Sequence, residues 1–179
     1  MNIFLAEWRK LRRPSLFFST IICAAGVSAF VTLMISHIAK DKSIDSLTGF
    51  TASSSLLGLI AFCFFAAQTA QEYSFGTLRN LLVREPNRIK LLFGKYIAMK
   101  IFISIIILIS LSIAYLLAPV KDISILDAAK SYLNVLISSL GYGIIGMALG
   151  VIFRSQVIAI SIGVGWLLVV ESIIASVVW

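Results

Sequence analysis

Five stretches of this chain each string together enough apolar residues to cross a bilayer as a helix: about Ser15 to Ile38, Ser53 to Ala70, Tyr96 to Ala118, Tyr132 to Phe153 and Val157 to Val178. A span needs roughly 17 to 25 residues, and a helix satisfies its own backbone N–H and C=O groups where no water can. Runs this long exclude an ordinary soluble domain, whose apolar residues recur in short periodic groups. The charged share, 13% of 179 residues, is about half that of a soluble domain. The fold class is therefore all-α: a polytopic helical membrane protein of about five transmembrane helices, one transmembrane domain over residues 1–179. The basic leader before the first run has the look of a secretory signal. The run is too long for one and more spans follow, so it reads as an uncleaved first span.

Orientation follows from where Lys and Arg fall in the short connections. The leader carries Arg9, Lys10, Arg12 and Arg13 against Glu7, whereas the first loop balances Lys40 and Lys42 against Asp41 and Asp45. The second loop is again basic, with Arg79, Arg84, Arg88, Lys90 and Lys95 against Glu72 and Glu85. The third balances Lys121 and Lys130 against Asp122 and Asp127, and Arg154 stands alone in the fourth. This alternation is what five consecutive spans demand, and it puts the N-terminus in the cytoplasm. The net charge of +7 thus belongs to topology rather than to a nucleic-acid surface.

Two polar segments have patterns of their own. In residues 1–14, Phe4, Leu5, Trp8 and Leu11 share one arc of a helix, while Arg9, Lys10, Arg13 and Glu7 fall opposite and Arg12 lies at the edge. This predicts an interfacial leader helix with Trp8 at headgroup depth and its basic residues on anionic lipid, ended by Pro14. The plainer reading is a positive-inside anchor, which differs only in touching no partner. In the cytoplasmic loop over residues 71–95, Phe75, Leu78, Leu81 and Leu82 recur at roughly helical spacing, and Pro86 and Asn87 interrupt them before Arg88 and Lys90. A helix–turn–helix with an exposed apolar face suits a protein partner; the alternative is a solvated loop lying on headgroups.

Within the spans, Glu171 is the acidic residue well inside an apolar run. Such a carboxylate marks a functional site by default, unless the segment bends there and delivers it to the outer interface. Gly146 and Gly150 form a G-x-x-x-G pair that lets another helix approach closely, as packing within the bundle or as a dimer or substrate face. Lys100 and Arg154 are expected to lie near cytoplasmic helix ends and to snorkel, with no transport role. Cys23 and Cys63 read as packing residues, and no metal site is expected. His37, the single histidine, falls at the outer end of the first span, too far from a buried serine to serve as a base. No Walker A pattern occurs, so no ATP chemistry is expected in this chain.

Glu72, Tyr73, Gly76, Thr77, Leu78 and Arg79, followed by Leu82, Arg88 and Gly94-Lys95, resemble the pattern that ABC-2 permeases carry between their second and third spans. The basic leader and Pro14 are similar too. The resemblance implies that this loop is a coupling helix docking into an ATP-binding subunit. Glu72 would cap or pair at the end of the second span, Gly76 would permit a tight turn, Tyr73, Phe75 and Thr77 would stand in the same interface, and Leu78 with Leu82 would enter the ATPase groove. Arg79, Arg84 and Arg88 would meet acidic groups or lipid. The implied protein is a permease subunit of an exporter for a hydrophobic or amphiphilic substrate in the plasma membrane, working with an ATP-binding subunit, a second permease copy and membrane lipids. It would bind no cofactor of its own, with ATP and Mg in the partner. The family pattern has six spans, so a further span is expected beyond this chain, the alternative being that the last segment is broken and does not cross fully. Two other readings stand beside it: a secondary transporter or channel using Glu171, and a non-transporting assembly or immunity factor.

Overall fold

The computed structural model describes residues 8–38, 50–76, 88–117 and 124–178. Among these residues it is an all-α bundle with five long helices: α1 (Pro14–Ile38), α2 (Ser54–Ser74), α3 (Arg88–Leu117), α4 (Ile125–Phe153) and α5 (Gln156–Val178). By length and composition α1 to α4 can each cross a membrane, and α5 adds an apolar run from Gln156 to Val170. Residues 8–11 form a helical turn ahead of α1. Pro14 begins α1 rather than merely ending the leader, because a first-turn residue needs no N–H partner. Three helices outrun the apolar stretches that predict them. Gln71 to Ser74 continue α2, Arg88 to Lys95 open α3, and Ile125 to Ser131 open α4.

The packing order explains the composition of each span. The central helix is α2, the least apolar and most enclosed of the four candidate spans; it lies against α4 and α5 and touches α1 and α3, while α1 packs chiefly on α3. A helix surrounded by helices meets little lipid, so it carries Gln68, Thr69 and Glu72 in buried positions. The helices around it turn large apolar side chains outward, among them Phe18, Ile22, Ile137, Ile144 and Trp166, as a lipid-facing surface requires.

Two seams hold the bundle. Along α2 and α4 the backbones come close at Gly146 and Gly150: a Cβ on Gly146 would stand 2.5 Å from the Phe62 carbonyl oxygen, and one on Gly150 would stand 2.9 Å from that of Ala66. Small residues at such crossings replace the hydrophobic drive that lipid cannot supply. On the other side aromatic rings tie three helices together. Phe102 of α3 stacks on Phe64 of α2 at 5.1 Å between centroids and meets Phe17 of α1 edge-on at 5.8 Å.

Candidate functional site

Among the described basic residues, Lys10, Lys95 and Arg154 come together at one end of the bundle, and not all of them face lipid or solvent. Glu72 is 3% exposed near the end of α2. Its carboxylate accepts from Lys10 Nζ at 2.8 Å through Oε1 and pairs with Lys95 Nζ at 2.6 Å through Oε2. Lys95, 2% exposed, also donates to the Gln68 carbonyl at 2.9 Å. Two ammonium groups from different elements therefore close on one carboxylate, and the three-residue clamp joins the turn before α1, the end of α2 and the start of α3. A buried pair like this lasts only when extra hydrogen bonds satisfy its charges, which the Gln68 carbonyl helps to do.

The clamp corrects the sequence expectation for the leader. Lys10 meets Glu72 rather than lipid alone, Leu11 is 1% exposed inside the protein core, and Trp8 packs against that core. Arg9, Arg12 and Arg13 remain exposed, and Phe4 lies outside the described residues. Residues 8–11 are thus docked on the bundle, because Trp8 and Leu11 find protein before they find lipid.

The proposed loop divides in the same way. Glu72 and Tyr73 belong to α2 instead of the loop, and Lys95, counted among the loop's basic residues, is buried in α3. Phe75 is exposed, and Gly76 turns the chain with φ of +66°, a left-handed conformation that favours glycine. Thr77, Leu78, Arg79, Leu82 and Arg84 lie outside the described residues, as does the side chain of Arg88, whose backbone opens α3. The clamp therefore sits at the foot of this loop, with Glu72 just before it and Lys95 just after. Beside it Arg154, between α4 and α5 at φ of 52°, holds its guanidinium 5.9 Å from the centre of the Tyr73 ring.

A second polar feature lies deeper, where the sequence reading placed nothing charged. Tyr96, Lys100 and Ser104 recur every four residues along α3 and face α4, whose partners step back in the opposite direction. Tyr96 donates to the Leu140 carbonyl at 3.3 Å. Lys100 donates to the Leu136 carbonyl at 2.6 Å and to Ser139 Oγ at 2.7 Å. The hydroxyls of Ser104 and Tyr132 hydrogen-bond to each other. Lys100 therefore does not snorkel to a helix end. It lies about 18 Å along α3 from Arg88 at 1.5 Å per residue, directed across to α4, because neutral acceptors lie within its reach.

The balance of magnitudes makes Lys100 unusual. A lysine at the centre of a span costs about 2.5–3.5 kcal/mol or more, whereas an interhelical hydrogen bond in a membrane returns roughly 0.6–2 kcal/mol. Glutamine or serine would join the two helices more cheaply. The spacing was visible in the sequence, as Tyr96, Lys100 and Ser104 on one helix and Tyr132, Leu136 and Leu140 on the next, and that pattern is the signal that could have revealed the ladder.

On the other side of Tyr96, toward the clamp, an apolar groove of about 590 Å³ lies between α3 and α4, lined by Leu92, Phe93, Ile144 and Met147 among others. Glu171 falls within α5, which is helical through that position; its side chain lies outside the described residues. Among the described residues no group of His, Cys, Asp and Glu could hold a metal ion.

Compared with known proteins, residues 3–178 match the family model described as ABC-2 family transporter protein. No curated protein and no solved structure matches the chain.

Proposed function

Because the chain belongs to the ABC-2 family of transporter proteins, we propose that it is the membrane subunit of an ATP-driven exporter and that its clamp transmits movement from an ATP-binding partner. As a multi-pass membrane protein of this family, it is a permease component of an ABC transporter. The finer reading is ours. The basic end of the bundle faces the cytoplasm, as the positive-inside rule asks, in a plasma membrane. The loop after Gly76 docks into an ATP-binding subunit, with Leu78 and Leu82 as its apolar contact and Arg79, Arg84 and Arg88 meeting acidic groups. ATP and Mg stay with that partner, and a second permease copy completes the transporter. The cargo is hydrophobic or amphiphilic.

The observation that carries this reading is the Lys10–Glu72–Lys95 clamp at the foot of the loop. A loop that only lay on headgroups would have no need of a buried ionic tie to three elements. With the tie in place, displacing the loop moves the leader, α2 and α3 together, and the seam between α3 and α4 is where such a shift would open the bundle. Packed elements of this kind pass small displacements on because they are not continuously deformable.

The test is capture of the ATP-binding subunit by the full chain. The wild type is expected to retain it through purification, and a Leu78→Asp, Leu82→Asp double variant to lose it at least about tenfold, since each change places a charge in a desolvated contact. Equal retention by both forms would remove the loop from the interface. Failure of the wild type to retain any ATP-binding subunit would remove the exporter reading.

A further inference from the structure

We propose that Lys100, within the Tyr96–Lys100–Ser104 ladder, binds the anionic head group of the transported amphiphile, a phosphate or a carboxylate, during its passage across the membrane. This rests on the permease reading above and adds to it the charge of the cargo. An ammonium has three N–H donors. Two are committed to the Leu136 carbonyl and Ser139 Oγ, both neutral, and none of the ion pairs among the described residues includes Lys100. The residue is only partly buried, and among the described residues the third donor has no partner. Ser104 and Tyr132 stand one turn further along the same seam with their hydroxyl protons committed to each other and to the Ser104 carbonyl, so Lys100 is the group that would meet the anion.

Depth identifies the source of that anion. The candidate spans run from Ile89 to Leu117 on α3 and from Ile125 to Phe153 on α4; Lys100 lies about 5 Å from the middle of the first at 1.5 Å per residue, and its partner Ser139 lies at the middle of the second. A resident lipid keeps its head group outside a hydrocarbon core about 30 Å thick, beyond reach of a residue near the centre. An anion that meets Lys100 is therefore crossing the membrane, which makes it part of the cargo. The charge, costly in this place, is explained if the cargo supplies the countercharge that the protein lacks.

The experiment uses the full chain in phosphatidylcholine nanodiscs with two spin-labelled probes, octadecyl phosphate and the uncharged octadecanol. The wild type is expected to hold the phosphate about tenfold more tightly than the alcohol, as a charged hydrogen bond predicts. Lys100→Gln keeps the neutral hydrogen bonds and is expected to bring the ratio near one, while Lys100→Arg preserves it. Unchanged immobilisation of octadecanol serves as the check that each variant is folded. A Lys100→Gln protein that keeps the wild-type preference overturns the proposal. A second measurement needs no variant: a photoreactive octadecyl phosphate, activated beside its head group, is expected to label residues near Lys100, Ser104, Tyr132 and Ser139. Labels confined to the helix ends mean resident lipid only and overturn it as well. Neither readout involves the ATP-binding subunit, so the head-group assignment and the exporter reading fail separately.

Discussion

Glu72→Ala is expected to destabilise the bundle by about 3–5 kcal/mol, the usual result of leaving one member of a buried ion pair without its partner. The asymmetry between the two lysines sets the size. Lys10 has a side chain 34% exposed and can return to water, whereas that of Lys95 is 2% exposed and cannot. With the carboxylate gone, Lys95 would lose an acceptor 2.6 Å away while its ammonium stays buried beside the Gln68 carbonyl. Thermal unfolding of the purified chain in detergent, followed by tryptophan fluorescence, measures the effect; a loss below about 1 kcal/mol would mean that water already reaches the pair, as at an exposed salt bridge. The double replacement Glu72→Met, Lys95→Met removes both charges and is expected to recover most of the loss, since apolar pairs of similar volume replace buried ion pairs at little cost. Coupling should not return with stability. If the clamp transmits loop movement, the double variant folds, retains its ATP-binding subunit and fails to transport.

The order of spans was legible because it depends on local composition. Runs of apolar residues mark α1 to α5 wherever they pack. Helix ends were less legible. Gln71 to Ser74 and Arg88 to Lys95 are polar enough to read as loop, yet they remain helical, since a helix satisfies its own backbone whether lipid, water or protein surrounds its side chains. Charge was the least legible property. Sequence order separates Lys10 from Glu72 by 62 residues, and nothing local distinguishes a lysine that meets lipid from one that meets a buried carboxylate. The same holds for Lys100, whose acceptors on α4 are a backbone carbonyl and a serine hydroxyl. Neutral partners leave no charge pattern in the sequence, and only the matched four-residue spacing on two antiparallel helices points to them.

Gly146→Ala is the second change with a large expected effect, and its neighbour Gly141 supplies the control. A Cβ at position 146 would stand 2.5 Å from the Phe62 carbonyl oxygen and 3.3 Å from the Ala66 nitrogen. Both are backbone atoms of the central helix, so no rotamer change relieves the overlap; α4 must move away from α2. Overpacking of this kind costs about 1–3 kcal/mol, and the displacement would also strain the contact of Gly150 with the Ala66 carbonyl one turn on. At Gly141 on the same helix a Cβ meets nothing within 4 Å, so Gly141→Ala is expected to stabilise slightly, by about 0.5–1 kcal/mol, through helix propensity alone. Thermal unfolding of the two variants under one condition separates close approach from propensity. Opposite signs are the expected result. If both variants were stabilised, the α2–α4 seam would have room that this packing denies, and the rigid central helix through which the clamp is argued to act would lose its physical basis.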